Sequence, residues 1–163
     1  MRTVLCPGSF DPVTNGHMDI IRRAAAQFER VIVLVAINAT KPGLFAPEER
    51  VKLLQRCLTD VPNAEVRSFA GLTALYAKQT GASAIVKGLR AMSDFDYEFQ
   101  QALTNRQLNP AVETIFMSAS GESMYLSSGM VKQVCSLGGD VSSFVPPEAL
   151  PDVLARLRPQ DKQ

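Results

Sequence analysis

The one histidine of the chain, His17, closes the run Pro7-Gly8-Ser9-Phe10-Asp11-Pro12-Val13-Thr14-Asn15-Gly16-His17, in which glycine, proline and asparagine carry an apolar segment into a helical period. Such a turn and helix start free backbone N–H groups with no intrahelical partner, presenting donors and a partial positive charge to an anion. An imidazole placed there can touch phosphate. Three further groups suit the same ligand. In Val86-Lys87-Gly88-Leu89-Arg90, two cations flank a glycine that gives close backbone access, as a polyphosphate requires. Tyr125-Leu126-Ser127-Ser128-Gly129-Met130-Val131-Lys132 puts hydroxyls and a glycine at a helix opening. Lys41, in Asn38-Ala39-Thr40-Lys41-Pro42, directly follows the second apolar segment. The chain has neither the G-x-x-x-x-G-K-[ST] of a P-loop nor the G-x-G-x-x-G of dinucleotide binding, so hydride transfer has no support. Nor is there a G-x-S-x-G to seat a serine nucleophile. What remains is His, Lys, Lys and Arg around phosphate seats. That set suits transfer of a phosphorus group in which position and charge do the catalysis.

The elements that must bring these groups together follow from periodicity. Thr3 to Cys6, Val31 to Ile37, Glu65 to Phe69, Ala84 to Lys87 and Glu113 to Met117 read as five apolar, β-branched strands. Helices are predicted between them. The first runs from His17 to Phe28, and the second starts near Pro47 with Val51, Leu54 and Leu58 inward. Leu72 to Thr80 forms a third, closed by Gly81. A long fourth is capped by Ser93, carries a Phe95, Phe99, Ala102 and Leu103 stripe read as core, and stops at Asn109-Pro110. A fifth is capped by Ser127 or Ser128 and ends at Gly138-Gly139. Pro146 and Pro147 introduce a short last helix to Leu157, and residues 158–163 read as a frayed tail. Strands alternating with helices predict an α/β, Rossmann-like, doubly wound five-stranded parallel sheet with helices on both faces. Ligands of such sheets bind beyond the strand C-terminal ends, and all four groups fall there. Singly, each has a plain structural reading as turn, cap or solvated charge; their coincidence at one sheet edge is what argues for a site.

Composition bounds the alternatives. At 163 residues with 46% hydrophobic content, one domain with a single core is expected. A net charge of +1 offers no global basic field, so no nucleic-acid partner is expected. Cys6, Cys57 and Cys135 are odd in number and widely spaced, as reduced thiols of the cytoplasm would be. No charged leader with an apolar core opens the sequence and no apolar run nears the ~20 residues needed to cross a bilayer, so a soluble cytoplasmic protein without a membrane partner is expected.

In order and spacing, the run from Pro7 to His17, Lys87-Gly88-Leu89-Arg90 with Asp94-Phe95-Asp96-Tyr97-Glu98, and Leu126-Ser127-Ser128 with Val131-Lys132 resemble the nucleotidylyltransferases with a T/H-x-G-H signature. Within that family the likeness is strongest to members that adenylylate 4′-phosphopantetheine, and it extends to about Pro146. The resemblance implies a Rossmann-like fold, ATP and 4′-phosphopantetheine as partners, Mg²⁺ held mainly by substrate phosphates with no protein ligand named, and a homohexamer. It implies that Ser9 orients both substrates and that His17 donates to the α-phosphate. Lys41 and Lys87 would hold the acceptor phosphate, and Thr73 would contact the pantetheine arm. Ser9, Phe10, Gly88, Leu89, Arg90 and Glu98 would line the nucleotide site. Ser123, Met124, Tyr125, Leu126, Ser127, Ser128 and Gly129 would serve the β- and γ-phosphates. The chain departs from the pattern at Lys87, where arginine is common, at Gly129, where serine is usual, and at Thr73, where an apolar residue is frequent. A nicotinate mononucleotide or CTP-dependent transferase of the same fold, or a non-catalytic ATP-binding module, are the competing readings.

Overall fold

The computed structural model describes residues 2–38, 40, 42–90 and 92–158, the side chains of residues 92, 93 and 123 excepted. Its strands are β1 (Thr3–Gly8), β2 (Arg30–Ala36), β3 (Ala64–Phe69), β4 (Ala84–Leu89) and β5 (Glu113–Ser118). The helices are α1 (Asn15–Gln27), α2 (Pro47–Cys57), α3 (Thr73–Thr80), α4 (Met92–Leu108), α5 (Ser128–Ser136) and α6 (Leu150–Leu157), with a 3₁₀ turn at Gly121–Ser123. All pairings are parallel and the sheet order is β3-β2-β1-β4-β5. The order reverses between β1 and β4, the topological switch point at which sheets of this kind take ligands.

Alternation along the strands divides the core. Val4, Cys6, Val31, Val33, Val35, Ala84 and Val86 face one side, where Met18 and Ile21 of α1, Leu53 and Leu54 of α2, Val131 of α5 and Val153 of α6 pack on them. Leu5, Ile32, Leu34 and Ile85 face the other side, against Tyr76 and Ala77 of α3 and Val112. Side chains of period 2 on strands thus meet helical stripes of period 3.6 on both faces, as the sequence predicts.

Two expectations are corrected in α4. The helix already begins at Met92, so Ser93 lies inside its first turn and is not its cap. The stripe Phe95, Phe99 and Leu103, expected as core, is 37%, 45% and 54% exposed. The reason is which face of α4 meets the sheet: Glu98, Gln101, Ala102 and Asn105, spaced i, i+3, i+4 and i+7, line a cavity, which turns the aromatic stripe outward. Phe95 still stacks on Phe99 at 5.5 Å and lies 6.2 Å from Phe116 of β5. At the other boundaries the strands and helices match the sequence reading to within about two residues, the ordinary uncertainty of element ends, except that the last helix, read as introduced by Pro146 and Pro147, starts only at Leu150 after a turn over residues 147–149. Of the expected tail, residues 159–163 lie outside the described residues.

Candidate active site

The crevice begins with a parting of the sheet. β1 pairs with β2 over six residues and β4 with β5 over six, but β1 and β4 pair only at Val4–Ala84 and Leu5–Ile85. Beyond those pairs the two strands diverge. Cys6, Pro7 and Gly8 face Val86, Lys87 and Gly88 across the opening, and all six line one cavity of about 230 Å³ with Ser9, Phe10, His17, Arg90, Glu98 and Leu126. A second cavity of about 340 Å³ adjoins it and shares Pro7, Gly8, Ser9, Lys87 and Glu98, then extends toward Thr73, Tyr97 and Asn105. Two chambers with a common wall at Ser9 and Lys87 can hold two ligands whose reacting ends meet.

The first turn of α1 fixes His17. Thr14 is the helix N-cap and its Oγ1 accepts from the His17 N–H, while the Thr14 N–H donates to His17 Nδ1 at 3.0 Å. This is a reciprocal capping box in which an imidazole stands where glutamate or glutamine is usual. The arrangement assigns the tautomer: a backbone N–H can only donate, so Nδ1 must accept, and a neutral ring then carries its proton on Nε2. Burial, joined by the Arg90 and Lys87 charges, pushes the ring's pKa down to about 4. His17 is therefore a neutral hydrogen-bond donor at pH 7. Its other neighbour is the Phe10 ring, edge-on at 5.0 Å.

Phe10 owes its place to its backbone. Its φ of 48° lies in the left-handed region, sparsely populated for a bulky residue, and folds the ring back under the turn until only 4% of the residue is exposed. Gly8 makes room, since a Cβ there would lie 3.0 Å from the ring. On the opposite strand a Cβ at Gly88 would lie 2.9 Å from Ile20 Cγ1, so glycine keeps that wall of the crevice open.

The charges of the site are held by specific contacts. Lys87 Nζ lies 3.2 Å from Glu98 Oε2, an oxygen that is buried and has no hydrogen-bond partner among the described residues. Arg90 donates to Asp94 at 3.1 Å and to the Leu126 carbonyl at 2.9 Å, which draws the segment before α5 onto the crevice. Ser128 Oγ donates to the Pro12 carbonyl at 2.7 Å, so the start of α5 abuts the first turn, and Ser127 caps α5 by accepting from Met130. Cys6 at the crevice floor is no nucleophile: burial raises its thiol to about 12 in spite of the Lys87 charge.

The structure thus brings Ser9, Phe10, His17, Lys87, Gly88, Arg90, Glu98 and Leu126 together, with Thr73 in the adjoining chamber. Leu89, Met124, Tyr125, Ser127, Ser128 and Gly129 line neither cavity, although the 126–128 segment is tied to the rim as described; Tyr125 is 81% exposed. Lys41 and the Ser123 side chain lie outside the described residues. The helix-start amides contribute less than the sequence implies, because Asn15 N–H already donates to Phe144 and His17 N–H to Thr14. Sequence reasoning missed Ile20, Ala119 and Asn105 as wall residues and gave Val86 and Tyr97 no site role within their motifs, since apolar or helical periodicity reads equally as packing. Among the described residues no three His, Cys, Asp or Glu side chains converge as a metal cage.

A neutral donor, a lysine and an arginine on a parted parallel sheet suit a phosphorylated ligand, and the family comparison gives the class: a nucleotidyltransferase family described as cytidylyltransferase-like matches residues 5–134, and the chain belongs to that family. It is 51% identical over 153 residues to the phosphopantetheine adenylyltransferase of Clostridium tetani (strain Massachusetts / E88), covering 94% of this chain and 96% of that protein. The protein of the same name from Caldanaerobacter subterraneus subsp. tengcongensis is 54% identical over 146 residues, covering 90% and 91%. In fold, a solved structure of a candidate nicotinate-nucleotide adenylyltransferase from Vibrio parahaemolyticus superposes with a TM-score of 0.70 at 18% identity, over 96% of both chains.

Proposed function

We propose that the protein transfers the adenylyl group of ATP to the phosphate of 4′-phosphopantetheine, giving dephospho-coenzyme A and pyrophosphate. The observation that carries this reading is the pair of adjoining cavities with Ser9 and Lys87 in their common wall, in a chain about half identical to adenylyltransferases of that acceptor. ATP occupies the cavity with His17, Gly88 and Arg90, and the acceptor enters from the cavity with Thr73. An acceptor phosphate oxygen attacks the α-phosphorus in line. The bond from the α-phosphorus to the oxygen bridging to the β-phosphate breaks, and pyrophosphate leaves with that electron pair. The acceptor anion is already nucleophilic, so no general base and no covalent enzyme intermediate is needed.

The protein's work is electrostatic. His17 Nε2–H donates to the α-phosphate as charge builds there, and Lys87, with Lys41, offsets the repulsion between the two anions. A donor aimed at developing charge is worth about 3–4 kcal/mol, or about 10²- to 10³-fold in rate. Glu98, whose buried Oε2 is ion-paired with Lys87 but accepts no hydrogen bond among the described residues, would accept from a ligand hydroxyl. Arg90 and the Ser123 to Gly129 segment serve the β- and γ-phosphates. Mg²⁺ would be held mainly by the substrate phosphates and water, as suits a metal that rarely takes an all-protein cage, and would supply neutralising charge at the departing pyrophosphate.

We further propose a cytoplasmic homohexamer. No helix among the described residues is long and apolar enough to cross a membrane. The exposed Phe95, Phe99 and Leu103, spaced i, i+4 and i+8 along α4, form an apolar stripe that a second copy can cover. The function is tested by incubating the protein with ATP, Mg²⁺ and, in turn, 4′-phosphopantetheine, nicotinate mononucleotide and a small alcohol phosphate with CTP, while measuring pyrophosphate. Release with the first alone supports the assignment; release only with another acceptor, or none, refutes it.

A further inference from the structure

Outside the crevice, a cluster of buried charge grips the turn that carries Phe10. Arg50 of α2 is 8% exposed and Asp11 6%. Arg50 Nε donates to the Phe45 carbonyl at 2.8 Å, and Nη1 donates to the Ser9 carbonyl at 3.3 Å. Asp11 accepts from the Leu44 N–H at 2.7 Å and the Phe45 N–H at 2.9 Å, with Arg50 Nε 3.6 Å away and Lys132 Nζ 3.5 Å away. Gly43 leaves room for this fork, since a Cβ there would lie 2.3 Å from Arg50 Nη2 and 3.0 Å from Asp11 Oδ2.

We infer that Arg50 is a positioning residue for His17, its guanidinium tying the 43–46 segment to the 9–11 turn and so fixing Phe10 against the imidazole. The Ser9 carbonyl belongs to the same peptide plane as the Phe10 N–H, so the orientation of that plane sets the Phe10 φ. That φ is the left-handed one, which a phenylalanine keeps only where its surroundings impose it. The plane before Phe10 is held by Arg50, and the residue after it, Asp11, is clamped by two amides and two cations. Phe10 in turn supplies the edge contact that, with the Thr14 box, leaves His17 one orientation. A planar fork is needed to reach two carbonyls at once; a lysine offers a point charge and cannot do both.

The catalytic consequence rests on the proposed adenylyl transfer, whereas the geometric one does not, and a single histidine makes the two separable. Arg50→Lys, Arg50→Met and Gly43→Ala are compared with the wild-type full chain by thermal unfolding, by kcat and KM for pyrophosphate release, and by the NMR resonances of the His17 ring. Gly43→Ala pushes on the guanidinium without removing a charge, so it reports even if Arg50→Met fails to fold. The expected result for each folded variant is displaced His17 ring resonances, kcat at least tenfold lower and ATP KM within about threefold, with Arg50→Lys no better than partial rescue. Folded Arg50→Lys and Gly43→Ala proteins with wild-type His17 resonances overturn the inference, as does a kcat loss no larger than the loss of folded protein. Should the wild type release no pyrophosphate with phosphopantetheine, the functional reading falls, and the resonances alone decide whether Arg50 sets the ring.

Discussion

Replacing His17 separates two tasks that the structure gives one side chain. The ring completes the capping box of α1, and its Nε2–H faces the crevice. In His17→Ala the Thr14 N–H loses its acceptor, worth about 1 kcal/mol by analogy with other helix caps. The edge contact with Phe10 is lost as well, worth about 0.5–1.5 kcal/mol. Together these give about 2 kcal/mol, which at about 2–4 °C per kcal/mol for a chain of this size lowers Tm by roughly 4–8 °C. Turnover falls further, by about 10²- to 10³-fold, through the missing donor. His17→Gln tests the division, because glutamine is a natural third residue of a capping box and its Oε1 can take the Thr14 N–H. It regains part of the stability but not the donor at the Nε2 position, so Tm recovers by about 2–4 °C while kcat stays low. Differential scanning calorimetry and steady-state pyrophosphate release measure both. Recovery of turnover together with stability in His17→Gln, or wild-type turnover in folded His17→Ala, would refute the reasoning.

Three other outcomes follow from the geometry. Because the His17 pKa is about 4 in the folded chain against 6.5 for a solvated histidine, the unfolded chain holds a proton the folded one does not between those values. Stability therefore declines as pH falls from 6.5 to 4, by at most about 3 kcal/mol, and the His17→Gln protein lacks that part of the slope in urea titrations at stepped pH. Gly88→Ala sets a Cβ 2.9 Å from Ile20 Cγ1 on the crevice wall, and adjusting to it is worth about 1 kcal/mol or more; kcat/KM for ATP falls roughly fivefold or more with little change in the far-ultraviolet circular dichroism. An unchanged kcat/KM would mean that Gly88 is not part of the nucleotide wall. Phe99→Asp combined with Leu103→Asp leaves the subunit folded but shifts the sedimentation coefficient from assembly to smaller species; an unchanged coefficient would show that this face of α4 is not where copies meet.

Much of this fold is written locally. The five strands and the starts of α2 and α5 are legible because apolar periodicity, Pro47 at a first helical position and the Ser127 cap all act within a few residues, whereas α1, read from His17, starts two residues earlier behind a Thr14 cap that periodicity does not reveal. The site residues of the 7–17 run and of Lys87 to Arg90 are legible for a different reason: parallel topology sends every strand C-terminus to one edge. What stayed hidden depends on distant contacts. The aromatic stripe of α4 follows the helical period of a core helix, but the face that meets the sheet is the one carrying Glu98 and Gln101, because a cavity lies beneath it. The parting of β1 from β4 has no sequence signature, since Cys6 and Val86 are as apolar as any paired strand residue. The Arg50–Asp11 cluster joins residues 39 positions apart, and a charged residue on a helix reads as solvated surface until its burial is seen.

The proposed chemistry stands on the protonation state of one ring. Nitrogen-detected NMR of the uniformly labelled protein at pH 7 reads both nitrogens of its single histidine without ambiguity. The expected spectrum shows an unprotonated Nδ1 and a protonated Nε2, persisting until the pH nears 4. A ring protonated at both nitrogens at pH 7, or one carrying its proton on Nδ1, would contradict the arrangement that makes His17 a neutral donor to the α-phosphate.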